Sequence, residues 1–159
     1  MAKQHVLSVL ADNNTGVLLR IAGLFSRRGY SIESISAAQT EHPEISRITI
    51  VTTGDEYTLE QIDKQLSKLV DVREVKVLNS DNSVQRQHVL ITAGNGEDTR
   101  ASLIEVANLF HANIVSVEDD SLMLELTGKP RKIEAFIRLI QPFGIIKMTK
   151  SGLTALERE

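Results

Sequence analysis

Gln4-His5-Val6-Leu7-Ser8-Val9-Leu10, then Asp12-Asn13-Asn14-Thr15-Gly16, then Val17-Leu18-Leu19-Arg20-Ile21-Ala22-Gly23-Leu24-Phe25 follow one another with only Ala11 intervening. From His5 to Leu10 the chain is apolar and β-compatible, and the polar run after it breaks the strand as a turn. Beyond Gly16, Val17, Ile21, Leu24 and Phe25 fall at i, i+4, i+7 and i+8. That spacing is one face of a helix of about three turns, stopping near Arg28-Gly29. A strand therefore runs through a polar loop into a helix.

Further along, Ile32 and Ile35, then Ile48 and Ile50 with Thr49, Val51, Thr52 and Thr53, predict two strands joined through the turn-prone Glu41-His42-Pro43-Glu44. Thr58 with Gln61 three residues later has the form of a capping box. Leu59, Ile62, Leu66 and Leu69 then mark an amphipathic helix with Glu60, Asp63, Lys64 and Lys68 outside. Val75 and Val77 alternate with Glu74 and Lys76, which predicts a half-buried strand. The order is βαββαβ.

Asn79-Ser80-Asp81-Asn82-Ser83 reads as a linker of polar turn formers. Beyond it the pattern recurs. Gln87-His88-Val89-Leu90 copies Gln4-His5-Val6-Leu7, and Ala107 with Leu109-Phe110 echoes Ala22 with Leu24-Phe25. Strands are predicted around Ile114–Val117 and Leu122–Leu126. A helix opening at Pro130 carries Ile133, Phe136, Ile137 and Ile140, and Ile146-Lys147-Met148 matches Val75-Lys76-Val77. The fold class is α+β, with two ferredoxin-like βαββαβ units, each an antiparallel sheet with both helices on one face. The opposite sheet face must be covered or stay wet. A unit this small is marginal alone, which predicts pairing between units or chains and a homodimer.

Composition narrows the function. The chain of 159 residues has 25% charged residues, 42% hydrophobic residues and no low-complexity segment, as a folded globular protein does. No apolar run approaches the ~20 residues of a membrane helix, and no apolar signal region follows the first residues; a cytoplasmic location is expected. Without cysteine there is no disulfide framework, thiolate nucleophile or cysteine-held metal. A net charge of −3 gives no general phosphate-binding surface, and Arg27-Arg28 suits a solvated helix end. None of the four histidines has metal-ligand spacing or a Ser and Asp partner nearby in sequence, so neither catalytic nor metal-binding residues are expected. His5 and His88, at corresponding strand starts, are read as structural. Gly94-Asn95-Gly96 lacks the further glycines and Lys-Ser/Thr of a phosphate loop. The strands at Ile48–Thr53 and Val72–Leu78 lack the aromatics of an RNA-binding sheet.

The Asp12–Gly16 junction is different. Backbone N–H groups at the positive end of a helix can hold a carboxylate, and side-chain carbonyls can meet an ammonium. An amino acid carries both groups. Read from these residues alone, a plain turn with an N-cap remains the alternative.

Ser8-Val9-Leu10, Asn13, Thr15-Gly16-Val17-Leu18, Arg20, Gly23-Leu24-Phe25-Ser26, Arg28-Gly29-Tyr30 and Ile32-Glu33-Ser34 together closely resemble the opening of acetolactate synthase small subunits. The likeness continues through Ile45-Ser46-Arg47-Ile48-Thr49, Gly54-Asp55, Glu60-Gln61-Ile62, Lys64-Gln65-Leu66 and Lys68-Leu69-Val70-Asp71-Val72, and thins towards Ser151-Gly152. The resemblance implies an ACT regulatory domain over residues 1–79 and a ferredoxin-like domain over residues 84–159. It further implies a regulatory role in branched-chain amino acid biosynthesis. The chain would bind and activate a large catalytic subunit holding thiamine diphosphate, Mg and FAD, with no cofactor of its own. Two ACT domains would pair side by side with the effector, usually valine, between them. Asn13, Gly16, Val17 and Leu18 would hold it from one chain, and Ser31 and Ile32 would come from the other. Ser31 departs from the Asn common in that family, and Gln85, Gln87 and His111-Ala112 depart from it in the second half. Two rival readings are a free-standing tandem amino-acid sensor and a small acylphosphatase-like hydrolase.

Overall fold

The computed structural model describes residues 2–159, which divide into two compact units, residues 2–84 with Gly152–Glu159, and Gln85–Ser151. In the first, β1 (Lys3–Asp12), α1 (Val17–Arg28), β2 (Ser34–Gln39), β3 (Ile45–Gly54), α2 (Glu56–Ser67) and β4 (Val72–Leu78) follow the expected order. The antiparallel sheet runs β2-β3-β1-β4, which leaves β2 at an edge.

Alternation decides which residues meet the helices. Leu7 lies opposite Ile50 and Val9 opposite Ile48 on one sheet face. Val17, Ile21, Leu24 and Phe25 of α1 and Ile62 and Leu66 of α2 close over them in a single core. Each such side chain taken from water contributes about 1.5–3 kcal/mol. The second helix starts earlier than the Thr58 capping box predicted. Its N-cap is Asp55, whose carboxylate accepts the Thr58 backbone N–H at 2.7 Å. A carboxylate at the positive helix end takes precedence over a hydroxyl one turn later.

In the second unit, β5 (Ser83–Gly94) leads into α3 (Arg100–Leu109), β6 (Asn113–Val117), β7 (Ser121–Gly128), α4 (Pro130–Ile140) and β8 (Ile145–Lys150). The strand order β6-β7-β5-β8 repeats that of the first unit, and Pro130 opens α4 as its fixed φ favours. Val89, Ile91 and Ala93, with Leu122, Leu124 and Leu126, form the floor under Leu103, Ala107, Ile133, Phe136 and Ile140.

The phase of the repeat differs from the sequence match. Leu7, Val9 and Ala11 correspond to Val89, Ile91 and Ala93, and Ile21 and Phe25 to Leu103 and Ala107, each 82 residues further on. The Gln-His-Val-Leu copy lies 83 residues on, an odd shift that turns every strand side chain to the other face. His5 is buried on the helix side with Nε2 3.0 Å from the Gly54 carbonyl. His88 faces the open side, with Nε2 3.0 Å from Glu125. The two histidines are not equivalent, and that part of the sequence reading is corrected. The helix echo is corrected too, because Ala22 and Leu109 are exposed whereas Ala107 and Leu24 are buried.

A ninth strand, β9 (Thr154–Glu157), has no counterpart in the sequence reading, which carried the second domain through residue 159. Gly152–Glu159 groups with the first unit. Leu153 and Ala155 are buried with Val6, Val51 and Leu78, on the sheet face opposite the helices. That face is therefore partly covered from within the chain. Among the described residues no helix is long and apolar enough to cross a membrane.

Candidate effector cleft

The β1–α1 loop is braced on all sides. Asn13 accepts the Ser46 hydroxyl at Oδ1 (2.9 Å), donates from Nδ2 to the Pro43 carbonyl (3.0 Å) and donates its backbone N–H to the Glu44 carbonyl (2.8 Å). Asn14 donates to Asp71 Oδ1 at 3.1 Å and accepts from Arg20 Nη2 at 3.2 Å. Arg20 Nε donates to Asp71 Oδ2 at 2.5 Å, and Asp12 pairs with Arg73 at 2.6 Å. The Asn14 amide and then the Arg20 guanidinium hold the Asp71 carboxyl below the usual carboxylate range. The Asp12, Arg20 and Asp71 charges beside the loop are thus paired with one another or with Arg73.

Gly16 ends the loop at φ 92°, a left-handed conformation that a Cβ disfavours by about 1–2 kcal/mol. It is the N-cap of α1 and supplies no side-chain acceptor, so the first-turn amides lack the usual side-chain cap. Asn13, Asn14, Gly16, Val17 and Leu18 line one wall of a cleft of about 210 Å³. The other wall is Ala37, Ala38 and Gln39 of β2 with Ser46 and Ile48 of β3. The result is a small cavity with amides and short polar groups at one end and aliphatic carbon along its side. The cleft opens beside the β2 edge, where Ile35 is 39% exposed.

Four of the expected site residues, Asn13, Gly16, Val17 and Leu18, thus share this cleft. Ser31 and Ile32 do not line it. Ser31 Oγ donates to the Thr53 carbonyl at 3.2 Å and accepts the Thr53 N–H at 3.0 Å, while Thr52 donates to the Ser31 carbonyl at 2.6 Å. Thr53 and Ser46 stand near opposite ends of β3, roughly 23 Å apart at the rise of an extended strand. Nearby, hydrogen bonds from Thr53 and Gln4 lower the Glu33 pKa. Local sequence patterns missed Asp71 and Arg20 as braces and Ala37–Gln39 as a wall. Only strand register brings these residues together. The sole signal was that Arg20, Ser46 and Asp71 fall in the stretches that resemble small subunits.

Another cleft, of about 180 Å³, lies on the open sheet face of the second unit between Leu90, Thr92, Met123, Lys147, Met148 and Thr149. It has a cation but no acceptor set for an ammonium. Among the described residues no cluster of three or more His, Asp or Glu is placed to hold a metal ion.

A pair of βαββαβ units, the first with a cleft at its strand–helix junction, defines a protein of the ACT-domain class. Residues 7–74 match the ACT domain of AHAS small subunits, and residues 86–159 match the family described as the small subunit of acetolactate synthase. The chain belongs to the acetolactate synthase small-subunit family. It is 44% identical over 154 residues to the acetolactate synthase small subunit of Mycolicibacterium smegmatis, covering 97% of this chain and 91% of that one. A probable acetolactate synthase small subunit of Methanothermobacter thermautotrophicus is 42% identical over 155 residues, covering 97% and 92%. The crystal structure of the small subunit from Thermotoga maritima superposes with a TM-score of 0.90 at 34% identity, covering 99% of this chain and 98% of that one. Membership makes the chain the small subunit rather than the catalytic one, and the enzyme's cofactors belong to the catalytic subunit.

Proposed function

We propose that two copies of this chain pair through β2 and bind a branched-chain amino acid, valine first among them, in the cleft at Asn13–Leu18. The occupied dimer then lowers the activity of a catalytic acetolactate synthase subunit that the free dimer activates. The observation that carries the reading is the cleft itself. Uncapped helix amides suit a carboxylate, the remaining lone pairs of the Asn13 and Asn14 carbonyls suit an ammonium, and Ala37 and Ile48 suit an aliphatic side chain. Because Arg20, Asp71 and Asp12 are already paired, no free cation of the loop is offered to a lone anion, and a zwitterion suits the amides and carbonyls together.

Antiparallel pairing of two β2 edges supplies what one chain lacks. The start of one strand then lies opposite the end of the other, which carries Ser31 and Ile32 of the partner subunit towards the cleft at Ala37–Gln39. Edge strands pair readily because their backbone groups are unsatisfied. Regulation follows by linkage: an amino acid that favours one arrangement of the complex by about 1–3 kcal/mol shifts it between active and less active forms. The chain acts in the cytoplasm beside a catalytic subunit that carries thiamine diphosphate, Mg and FAD.

Calorimetric titration of the purified protein with valine, leucine and isoleucine tests the site. Mixing with the catalytic subunit, with and without each amino acid, tests the regulation. Heat from none of the three would remove the effector. Unchanged activity on mixing would remove the regulatory role.

A further inference from the structure

Gly152–Glu159 does more than cover carbon. Its Leu153 and Ala155 are 5% and 2% exposed against Val6, Val51 and Leu78. Lys76 Nζ meets Glu157 Oε2 at 2.6 Å, and the Arg158 N–H donates to the Asn82 carbonyl at 2.7 Å. The segment is therefore pinned at its middle and far end to β1, β3, β4 and the turn after β4. Its near end touches β2. A Cβ at Gly152 would stand 2.9 Å from the Ile35 carbonyl oxygen, 3.2 Å from its carbon and 3.3 Å from Ser36 Cβ. The φ of Gly152 is outside the left-handed region, so the close approach alone demands glycine there.

That contact lies on the strand that walls the candidate cleft. Ala38 and Gln39 face two cavities at once. One is the cleft with Asn13 and Gly16, and the other, also about 210 Å³, is closed by Thr154, Ala155 and Leu156. Hydrogen bonds fix β2 along one edge to β3 alone. Its position out of the sheet plane depends on what lies against its outer face, and backbone at Ile35 has no flexible side chain with which to yield. A shift of the segment at Gly152 presses directly on the β2 backbone.

We infer that Gly152–Glu159 is a strap that sets the position of β2, and that Gly152 is the positioning residue through which it sets the ligand affinity of the cleft. This rests on the effector reading of that cleft. The strap seats β2 so that Ala37–Gln39 stand at the right distance from Val17 and Leu18 for an aliphatic side chain. A methyl group at residue 152 pushes β2 or the strap aside by several tenths of an ångström, against the 3.4–4 Å of ordinary contact. The wall of the cleft moves with it.

The test uses the full-length protein carrying Gly152→Ala, with Leu153→Ala as a second way of loosening the strap. Ile133→Val in the core of the second unit serves as the control for general loss of stability. Valine affinity is read by calorimetry, and amide hydrogen exchange over residues 34–39 is read without ligand. Both strap variants are expected to weaken valine binding by about fivefold or more and to speed exchange in β2 by about tenfold, while the control moves neither. Activation of the catalytic subunit without valine should remain within about twofold of wild type, which a merely unfolded variant would not allow. Wild-type affinity and wild-type β2 exchange in both strap variants would overturn the inference. If the unsubstituted protein binds none of valine, leucine and isoleucine, the effector reading falls and the ligand role of the strap falls with it. Faster β2 exchange in that case would mark a strap without a site.

Discussion

Arg20 on α1 and Asp71 before β4 hold each other across the foot of the β1–α1 loop, Nε to Oδ2 at 2.5 Å, and both hydrogen-bond Asn14 between them. Asp71 also accepts the Asp12 N–H at its backbone carbonyl, 2.8 Å away. Side-chain and backbone bonds from one residue thus anchor the loop to the far side of the sheet. The Asp71 residue is 6% exposed, whereas the Arg20 side chain is 46% exposed. The carboxylate is the fixed member of the pair, and the guanidinium comes to it from the surface.

Stability should follow the Asp71 charge as pH falls. Its folded-state pKa is depressed, so between that value and the ordinary carboxylate value near 3.9 the unfolded chain binds more protons than the folded one. Stability therefore rises with pH through that window. The contribution is complete above about pH 5 and disappears as pH drops through the folded-state pKa. Asp71→Asn should lower Tm at pH 7 by no more than about 2–4 °C, because Arg20 is half in water. The variant should also have a shallower acid limb. Thermal melts of both proteins between pH 2.5 and 7 check the sign; parallel curves would show that Asp71 is not the group responsible.

Asn13→Ala separates the proposed effector site from the fold. Asn13 is exposed, so its loss removes hydrogen bonds to Ser46 and Pro43 worth about 0.5–1.5 kcal/mol each and exposes no core. The folded protein should survive, with valine binding weakened by about tenfold or more as the loop loses both its anchor and its carbonyl. Calorimetry alongside a thermal melt reads the two effects separately.

Helix faces and the βαββαβ order of elements along the chain were legible because each rests on local periodicity: Val17, Ile21, Leu24 and Phe25 could sit only on one face. What periodicity cannot supply is registration between distant segments. The Gln-His-Val-Leu copy suggested equivalent histidines, yet its odd offset places His5 inside and His88 outside, a matter decided by pairing with Thr52 and Thr127. The same limit hid Asp71, which reaches the loop only through the β1–β4 pairing, and β9, whose one buried position is Ala155, next to buried Leu153 just before it. One half of the candidate cleft, Asn13 to Leu18, is contiguous in sequence and came from the family resemblance rather than from periodicity. The Ala37–Ile48 half is built by the β2–β3 hairpin and was not readable.

Phe136→Ala probes whether the second unit holds its own core. Phe136 is fully buried between α4 and the sheet and meets Phe110 edge-on with ring centroids 5.3 Å apart. Truncation should cost about 3–5 kcal/mol through lost transfer energy and the cavity left behind. Urea unfolding followed by tyrosine fluorescence reads the first unit, because Tyr30 and Tyr57 both lie there. Circular dichroism reads the whole chain. If the units unfold independently, the circular dichroism curve splits while the fluorescence midpoint stays in place; coincident shifts would show one cooperative block.

Ile35→Lys tests pairing through β2. Ile35 lies on the edge strand, 39% exposed, outside the first core cluster and outside the candidate cleft, so its replacement leaves both in place. A lysine on each of two apposed edge strands sets like charges against each other and adds desolvation, the means by which natural edge strands are kept apart. On the proposed pairing, the variant should sediment as a monomer under conditions where the unsubstituted protein forms the β2-paired dimer. On the same pairing its valine affinity should fall by at least about tenfold, because Ser31 and Ile32 of the partner subunit would then be missing from the cleft. A variant that remains dimeric with wild-type affinity would place the pairing surface elsewhere. A monomer that still binds valine at full strength would show that one chain builds the whole site.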